Sequence, residues 1–139
     1  MDATGEGVLT KKRKILVVDD NTELRMLISL TLEFSYWQLL EADNAETGLA
    51  MLKQHKPDIV LLDVMMPGEQ DGLALCRTIR ADESLDGIRI IMLSAKGQQK
   101  DVQLGLEAGA DDYVVKPFSP SELMEKLDIE LDFDNSEDC

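Results

Sequence analysis

The segment Lys14-Ile15-Leu16-Val17-Val18-Asp19-Asp20 sets four consecutive aliphatic residues directly before two acids. A strand with one wet face would alternate apolar and polar residues. An unbroken apolar run of this length suits a strand covered on both faces. Working outward, comparable short runs predict strands over Lys14–Val18, Trp37–Ala42, Asp58–Leu62, Arg89–Leu93 and Asp112–Val115. Between them, apolar residues return at helical spacing: Leu24, Leu27, Ile28 and Leu32, then Leu49 and Leu52, then Leu73, Cys76 and Ile79, and at the end Leu123, Leu127 and Leu131. The helix expected over Gln98–Ala108 has the thinnest support, Val102, Leu104 and Leu106, with Gly105 inside it. Helix starts are marked too. Asp43-Asn44-Ala45-Glu46 reads as an N-cap acid with Glu three residues on, and Ser119-Pro120-Ser121-Glu122 as a capping box with Pro at the first helical position. Five β–α repeats predict an α/β fold, a parallel sheet with helices on both faces.

Length and charge bound the rest. The chain has 139 residues, 44% of them hydrophobic, which suits one core. Residues 1–13 read as a polar tail ending in the basic cluster Lys11-Lys12-Arg13-Lys14, residues 14–131 as the folded unit, and residues 132–139 as an acidic tail. No apolar run approaches the roughly 18 residues of a membrane span, and Met1–Thr10 lacks the pattern of a signal peptide. Two cysteines, Cys76 and Cys139, make no disulfide framework, so a reducing cytoplasm is expected. The net charge of −14 argues against direct binding of nucleic acid or an anionic membrane. No output domain is expected in so short a chain. His55 is expected at the surface, Cys76 on the core side of the third helix, and Trp37 on an edge strand away from the acids.

The chemistry gathers where the strands end. In open parallel sheets ligands bind beyond the carboxyl ends of the strands, near the point where strand order reverses. The first strand runs into Asp19 and Asp20, the third into Asp63, the fourth into Ser94 and the fifth into Lys116. Taken singly, each is ordinary cap or loop material. Taken together they are not. Two carboxylates about 4 Å apart repel by roughly 4 kcal/mol at an effective dielectric of 20, so three crowded together call for a cation. Mg²⁺ is the natural candidate, because it takes about one or two carboxylates and keeps waters that a phosphate can displace. Asp63, on what should be a central strand, is then the best nucleophile towards phosphorus, with Asp19 and Asp20 as the metal-holding pair, Lys116 as a point charge and Ser94 as a hydroxyl donor.

Over residues 14–131 the sequence resembles the receiver domain of two-component response regulators. The resemblance is carried by Ile15–Asp20 (ILVVDD), Ile59–Gly68 (IVLLDVMMPG), Asp71-Gly72, Ile91–Gly97 (IMLSAKG) and Leu106–Phe118 (LEAGADDYVVKPF), in order and at matching spacings. It implies a flavodoxin-like (βα)5 three-layer sandwich with strand order 2-1-3-4-5. It also implies Asp63 as phosphoacceptor, Asp20 as direct Mg²⁺ ligand, Asp19 acting mainly through water, and Asp63 and the Met65 backbone carbonyl as further ligands. Ser94 matches the switch hydroxyl, Tyr113 the switch aromatic and Lys116 the conserved-type lysine, with Lys116–Pro117 a candidate cis peptide. The implied partners are a histidine kinase or histidine phosphotransfer protein upstream and a protein target downstream. The latter would be reached through the surface of the fourth helix, fifth strand and fifth helix, in a monomer or a phosphorylation-dependent dimer. Such a domain catalyses only its own phosphorylation and dephosphorylation and is not otherwise an enzyme.

Two departures carry expectations of their own. The loop Pro67-Gly68-Glu69-Gln70-Asp71-Gly72 is one residue longer than the family's usual spacing. Met65 and Lys96 occupy the positions that tune acyl-phosphate hydrolysis in the family, and neither a thioether nor an ammonium is a good base for water, so slow self-dephosphorylation is expected. Met65 also weighs against a rival reading, a Mg²⁺-dependent phosphohydrolase, which needs a second acid two residues after the nucleophile. A third reading, an interaction module without phosphorylation, is disfavoured by the intact Asp20, Asp63, Ser94 and Lys116.

Overall fold

The computed structural model describes residues 13–33, 35–66 and 71–127. In chain order they form β1 (Arg13–Val18), α1 (Thr22–Leu32), β2 (Trp37–Ala42), α2 (Ala45–His55), β3 (Ile59–Asp63), α3 (Gly72–Ala81), a 3-10 turn (Glu83–Leu85), β4 (Arg89–Ser94), α4 (Gln99–Glu107), β5 (Asp112–Val115) and a last helix, α5, over 120–127. All strand pairs are parallel, in the order β2-β1-β3-β4-β5. This is the predicted flavodoxin-like arrangement. The expected acidic tail, Leu131, residues 1–12 and the middle of the long loop, residues 67–70, lie outside the described residues. No helix among the described residues is long and apolar enough to cross a membrane.

The alternation of side chains along a strand sorts the apolar runs into two cores. Ile15, Val17, Ile59, Leu61, Ile91 and Leu93 face Ile28 and Leu32 of α1 and Leu123 and Leu127 of α5. Leu16, Val18, Val60, Leu62, Ile90 and Met92 face the other way, onto Leu52 of α2 and Leu75, Cys76 and Ile79 of α3. The unbroken apolar strands are thus explained, since both faces are covered and no position is left for a polar residue. Cys76 is fully buried, its thiol donates to the Ala108 carbonyl at 3.4 Å, and burial pushes its pKa up to about 11, the mark of a packing residue. Trp37 is buried at the start of edge strand β2.

Several local expectations shift. β1 begins at Arg13, one residue before the predicted Lys14. β3 begins at Ile59, one residue after the predicted Asp58, whose carboxylate accepts from the Lys14 amide at 2.8 Å. β3 and β4 each run one residue further than predicted, carrying Asp63 and Ser94 as the last residues of their ladders, opposite Leu93 and Val115. The cap of α2 is Asn44 and not Asp43: Asn44 Oδ1 accepts from the Thr47 amide at 2.8 Å, while Asp43 accepts from the Asn44 side chain. His55 is half-buried rather than fully at the surface. The box at Ser119 forms as predicted, with Ser119 Oγ accepting from the Glu122 amide and Glu122 Oε1 from the Ser119 amide.

The weakest predicted helix exists, but its apolar support points the wrong way. Leu104 and Leu106 are each 46% exposed, and the residue that α4 buries is Gly105 between them. A Cβ there would lie 3.0 Å from Tyr113 Cδ2 and 3.5 Å from Met92 Cγ. The missing side chain lets α4 approach the sheet, and the leucines straddle the contact.

At the opposite edge of the sheet from the acids, Arg80 of α3 ties three segments together. Its guanidinium donates to the Gly109 carbonyl at 2.8 Å, the Ile88 carbonyl at 2.8 Å and Asp111 Oδ2 at 2.6 Å, and Asp111 Oδ2 also accepts from the Ile90 amide at 2.9 Å. Removing the fork leaves two carbonyls and a carboxylate short of donors, a loss of about 3 kcal/mol for partly buried charge-assisted bonds. Arg80→Ala is therefore expected to lower the urea midpoint clearly, and Arg80→Lys to recover only part of it. An unchanged midpoint in Arg80→Ala would show that the fork is ornamental.

Candidate functional site

The parallel register builds the site. Val18 stands opposite Leu62, so the next residues, Asp19 and Asp63, emerge side by side from adjacent central strands. Asp63 in turn stands opposite Leu93, one residue before Ser94, and the Lys116 amide donates to the Ser94 carbonyl at 2.7 Å. The sheet thereby delivers Asp19, Asp63, Ser94 and Lys116 to one edge, and with Asp20, Asn21, Met65 and Ala95 they line a single open cleft. Each residue expected in the site from sequence is there except Tyr113, which lies to the side.

Burial divides the acids. Asp19 is fully buried and Asp63 is 4% exposed, whereas Asp20 is open to solvent. One carboxylate oxygen from each of the three lies within 4.8 Å of the others. The Lys116 ammonium sits between the buried pair, 2.8 Å from Asp19 Oδ2 and 3.4 Å from Asp63 Oδ1. Asp19 Oδ1 accepts from the Asn21 amide at 2.9 Å, and Asp63 Oδ1 from the Met65 amide at 3.2 Å. Both oxygens of Asp19 therefore have partners, while the Asp20 carboxylate has none among the described residues.

One ammonium does not satisfy two buried carboxylates. Burial, then the neighbouring Asp19 charge, push the Asp63 pKa up to about 6 against the opposing pull of Lys116 and the Met65 amide. For Lys116, burial alone would lower the pKa, but its hydrogen bond to Asp19 and the charges of Asp19 and Asp63 outweigh it, and the pKa is raised. A hard divalent cation relieves this imbalance. The donors are all oxygens, Asp20 is unengaged and solvent is at hand, which fits Mg²⁺ better than a softer metal.

The chain around the acids is held closely. Asn21 caps α1, accepting from the Leu24 amide at 3.1 Å. Gly72, where α3 begins, donates its amide to the Val64 carbonyl at 3.0 Å, and a Cβ there would overlap the Asp63 carbonyl. A larger residue at 72 would push β3 or α3 away. Ser94 is buried, its Oγ accepting from the Lys96 amide at 3.0 Å, which leaves its proton free to donate. Met65 presents a side chain that is 57% exposed. Tyr113 is half-buried against Gly105, and its hydroxyl donates to the Lys96 carbonyl at 2.7 Å. Tyr113 and Ser94 thus both bond to the backbone of Lys96. The Lys116–Pro117 peptide is cis, as the resemblance implied.

Asn21 and Arg25 stand outside the motifs read from the sequence. Asn21 has a local signal, an amide residue before the first helical repeat. Arg25 has none, and Gly72, part of the Asp71-Gly72 motif, shows its close approach to Asp63 only in the fold.

The family model for the response regulator receiver domain matches residues 15–128. The phosphate regulon transcriptional regulatory protein PhoB of Pseudomonas aeruginosa is 45% identical over 115 residues, which cover 83% of this chain and 50% of that protein. The DNA-binding response regulator MtrA of Mycolicibacterium smegmatis is 42% identical over 118 residues, 85% of this chain and 50% of that one. The chain thus spans about half the length of these curated relatives. Among solved structures, the chemotaxis response regulator CheY4 of Vibrio cholerae superposes with a TM-score of 0.80 at 28% identity, covering 85% of this chain and 98% of that one.

The raised pKa of Asp63 has a consequence for stability. The native state holds this proton up to a pH of about 6, whereas an unperturbed carboxyl releases it near 3.8. Between those values the native state binds more protons than the unfolded chain, so metal-free protein loses stability as pH rises through this window. The shift corresponds to about 3 kcal/mol at full ionisation. In chelator at pH 7, Asp63→Asn is expected to melt higher than the parent protein, and the gap to close as the pH falls to about 4. An Asn variant no more stable than the parent at pH 7 would contradict the crowding of charge described here.

Proposed function

The chain belongs to the response regulator receiver domain family, and from that premise we propose that it is a phosphoryl-accepting switch of a cytoplasmic two-component phosphorelay, with Asp63 as the acceptor. The observation that carries the reading is the gathering of the Asp19, Asp20 and Asp63 carboxylates within 4.8 Å, with Lys116 bridging two of them. The donor is a phosphohistidine on a histidine kinase or a phosphotransfer protein. The Asp63 carboxylate attacks phosphorus, the phosphorus–nitrogen bond breaks, and the imidazole leaves. Bound Mg²⁺ supplies positive charge to the phosphoryl oxygens. Asp20 and Asp63 would hold the ion with the Met65 carbonyl, and Asp19, whose carboxylate anchors Lys116, would act on it through water. Lys116 pairs with a phosphoryl oxygen in place of Asp63, and the free Ser94 proton is donated to another.

The readout runs through Lys96. Movement of Ser94 towards the phosphoryl group disturbs its bond to the Lys96 amide, and the Lys96 carbonyl is the acceptor for Tyr113. A local charge change is thereby passed to the face of α4, β5 and α5, where a downstream protein or a second phosphorylated copy docks. With a net charge of −14 the chain itself is not the nucleic-acid-binding element. Relatives named as DNA-binding regulators are about twice its length.

The direct test is intact-protein mass after incubation with acetyl phosphate, with Mg²⁺ or with chelator. A single phosphoryl adduct is expected on the parent protein with Mg²⁺, and none with chelator or in Asp63→Asn. An adduct that survives in Asp63→Asn would move the acceptor elsewhere. Once formed, the acyl phosphate is expected to persist, because the exposed Met65 and Lys96 offer no base for water. Met65→Asn combined with Lys96→Glu should speed phosphate loss, followed by the decay of the adduct mass. An unaltered decay would remove these two residues from the control of lifetime.

A further inference from the structure

Arg25 belongs to none of the sequence motifs and takes no part in the phosphoryl chemistry above, yet its side chain is only 16% exposed. From α1 its guanidinium makes two directed hydrogen bonds, Nη1 to the Asp19 carbonyl oxygen at 2.7 Å and Nε to Glu41 Oε1 at 3.1 Å. Glu41 lies on β2, so the contact joins the first helix, the edge strand and the turn that carries the acidic pair.

That carbonyl belongs to the peptide joining Asp19 to Asp20. The other groups of Asp19 are already fixed: its amide donates to the Ala42 carbonyl at 3.0 Å, and its carboxylate is engaged by Lys116 and the Asn21 amide. The Asp20 carboxylate has no hydrogen bond or ion pair among the described residues, so its backbone is what places it at the cleft. A peptide is planar, and fixing the direction of the Asp19 carbonyl fixes the path of the chain into Asp20.

Charge alone would not put an arginine here. A guanidinium beside a cation site repels the cation, and Arg25 directs one N–H to the backbone and one to a carboxylate that offsets its charge. We propose that Arg25, held by Glu41, is a positioning residue that orients the Asp19–Asp20 peptide so that the Asp20 and Asp63 carboxylates meet a divalent cation together. This rests on the receiver reading of the site.

The two explanations of Arg25 differ in sign. If it merely contributes charge, removing it tightens Mg²⁺ binding. If it orients the turn, removing it weakens binding, by roughly tenfold for a partner that holds a metal ligand in place. The experiment is calorimetric titration of the chelator-stripped full chain with MgCl₂, with circular dichroism of each variant in chelator as the check on folding. Arg25→Ala is expected to bind about tenfold more weakly, and Arg25→Lys, which keeps the charge but not the fork, to be weakened by a smaller factor. Glu41→Ala and Glu41→Gln remove the same charge, but only Gln keeps an acceptor for Arg25, so the Gln variant is expected to lose less. Parent protein that binds Mg²⁺, with Arg25→Ala and Arg25→Lys binding equally or more tightly, overturns the inference and leaves the receiver reading standing. Should Arg25→Ala not fold, Arg25→Lys and the Glu41 pair decide by the same criterion. Parent protein that binds no Mg²⁺ overturns the reading of the site and this inference with it.

Discussion

An ammonium lodged between two buried carboxylates is the contact on which the rest of this molecule turns. Lys116 reaches Asp19 at 2.8 Å and Asp63 at 3.4 Å, and those three residues come from the ends of three strands. The pairing is incomplete by one charge. A fold optimised for stability would replace such a cluster with apolar residues, since desolvating charges costs more than an imperfect pairing returns. Keeping it stores electrostatic tension at one edge of the sheet, visible in an Asp63 pKa near 6. Any ligand that brings compensating positive charge, or a group that takes the place of a carboxylate charge, acts on that tension directly.

The sheet can hold such a cluster because its central strands, β1, β3 and β4, are buried on both faces, and their registers fix which residues stand level at the carboxyl edge. Close backbone approaches sharpen this. Gly72 admits the start of α3 against the Asp63 carbonyl, and Gly48 sets α2 within van der Waals range of Val18. At the far edge the Arg80 fork locks α3 to the segments flanking β4 and β5. α4, which follows the loop beyond β4, buries only Gly105 among its residues.

The loop beyond β4 contains a hydrogen-bonded link between the cleft and the protein's flank. The backbone of Lys96 donates to Ser94 and accepts from Tyr113, so a hydroxyl in the site and an aromatic at the surface share a single residue. The glycine at 105 is part of the same device. It lets the Tyr113 ring and Met92 of β4 sit under α4. Leu104 and Leu106 on either side of that glycine are exposed on the surface of α4.

Much of this was legible in one dimension. The apolar runs, their spacing and the caps at Ser119 specified five strands, the helices and their alternation, because burial on both faces and helical period are local patterns. The acids, the hydroxyl and the lysine could be assigned to one edge because each follows a strand directly. What the sequence could not tell was which neighbour each group would meet. Asn44 displaced Asp43 as a cap through a competition decided by backbone geometry. The leucines of α4 face outward beside a glycine that lies against the sheet, and Arg25 of α1 bonds to Glu41, sixteen residues away on β2. The sequence by itself determined the elements and the chemical inventory of the edge. Only the tertiary structure decided the division of charge within it, because an ion pair depends on distances of a few ångströms between residues that chain order leaves unrelated.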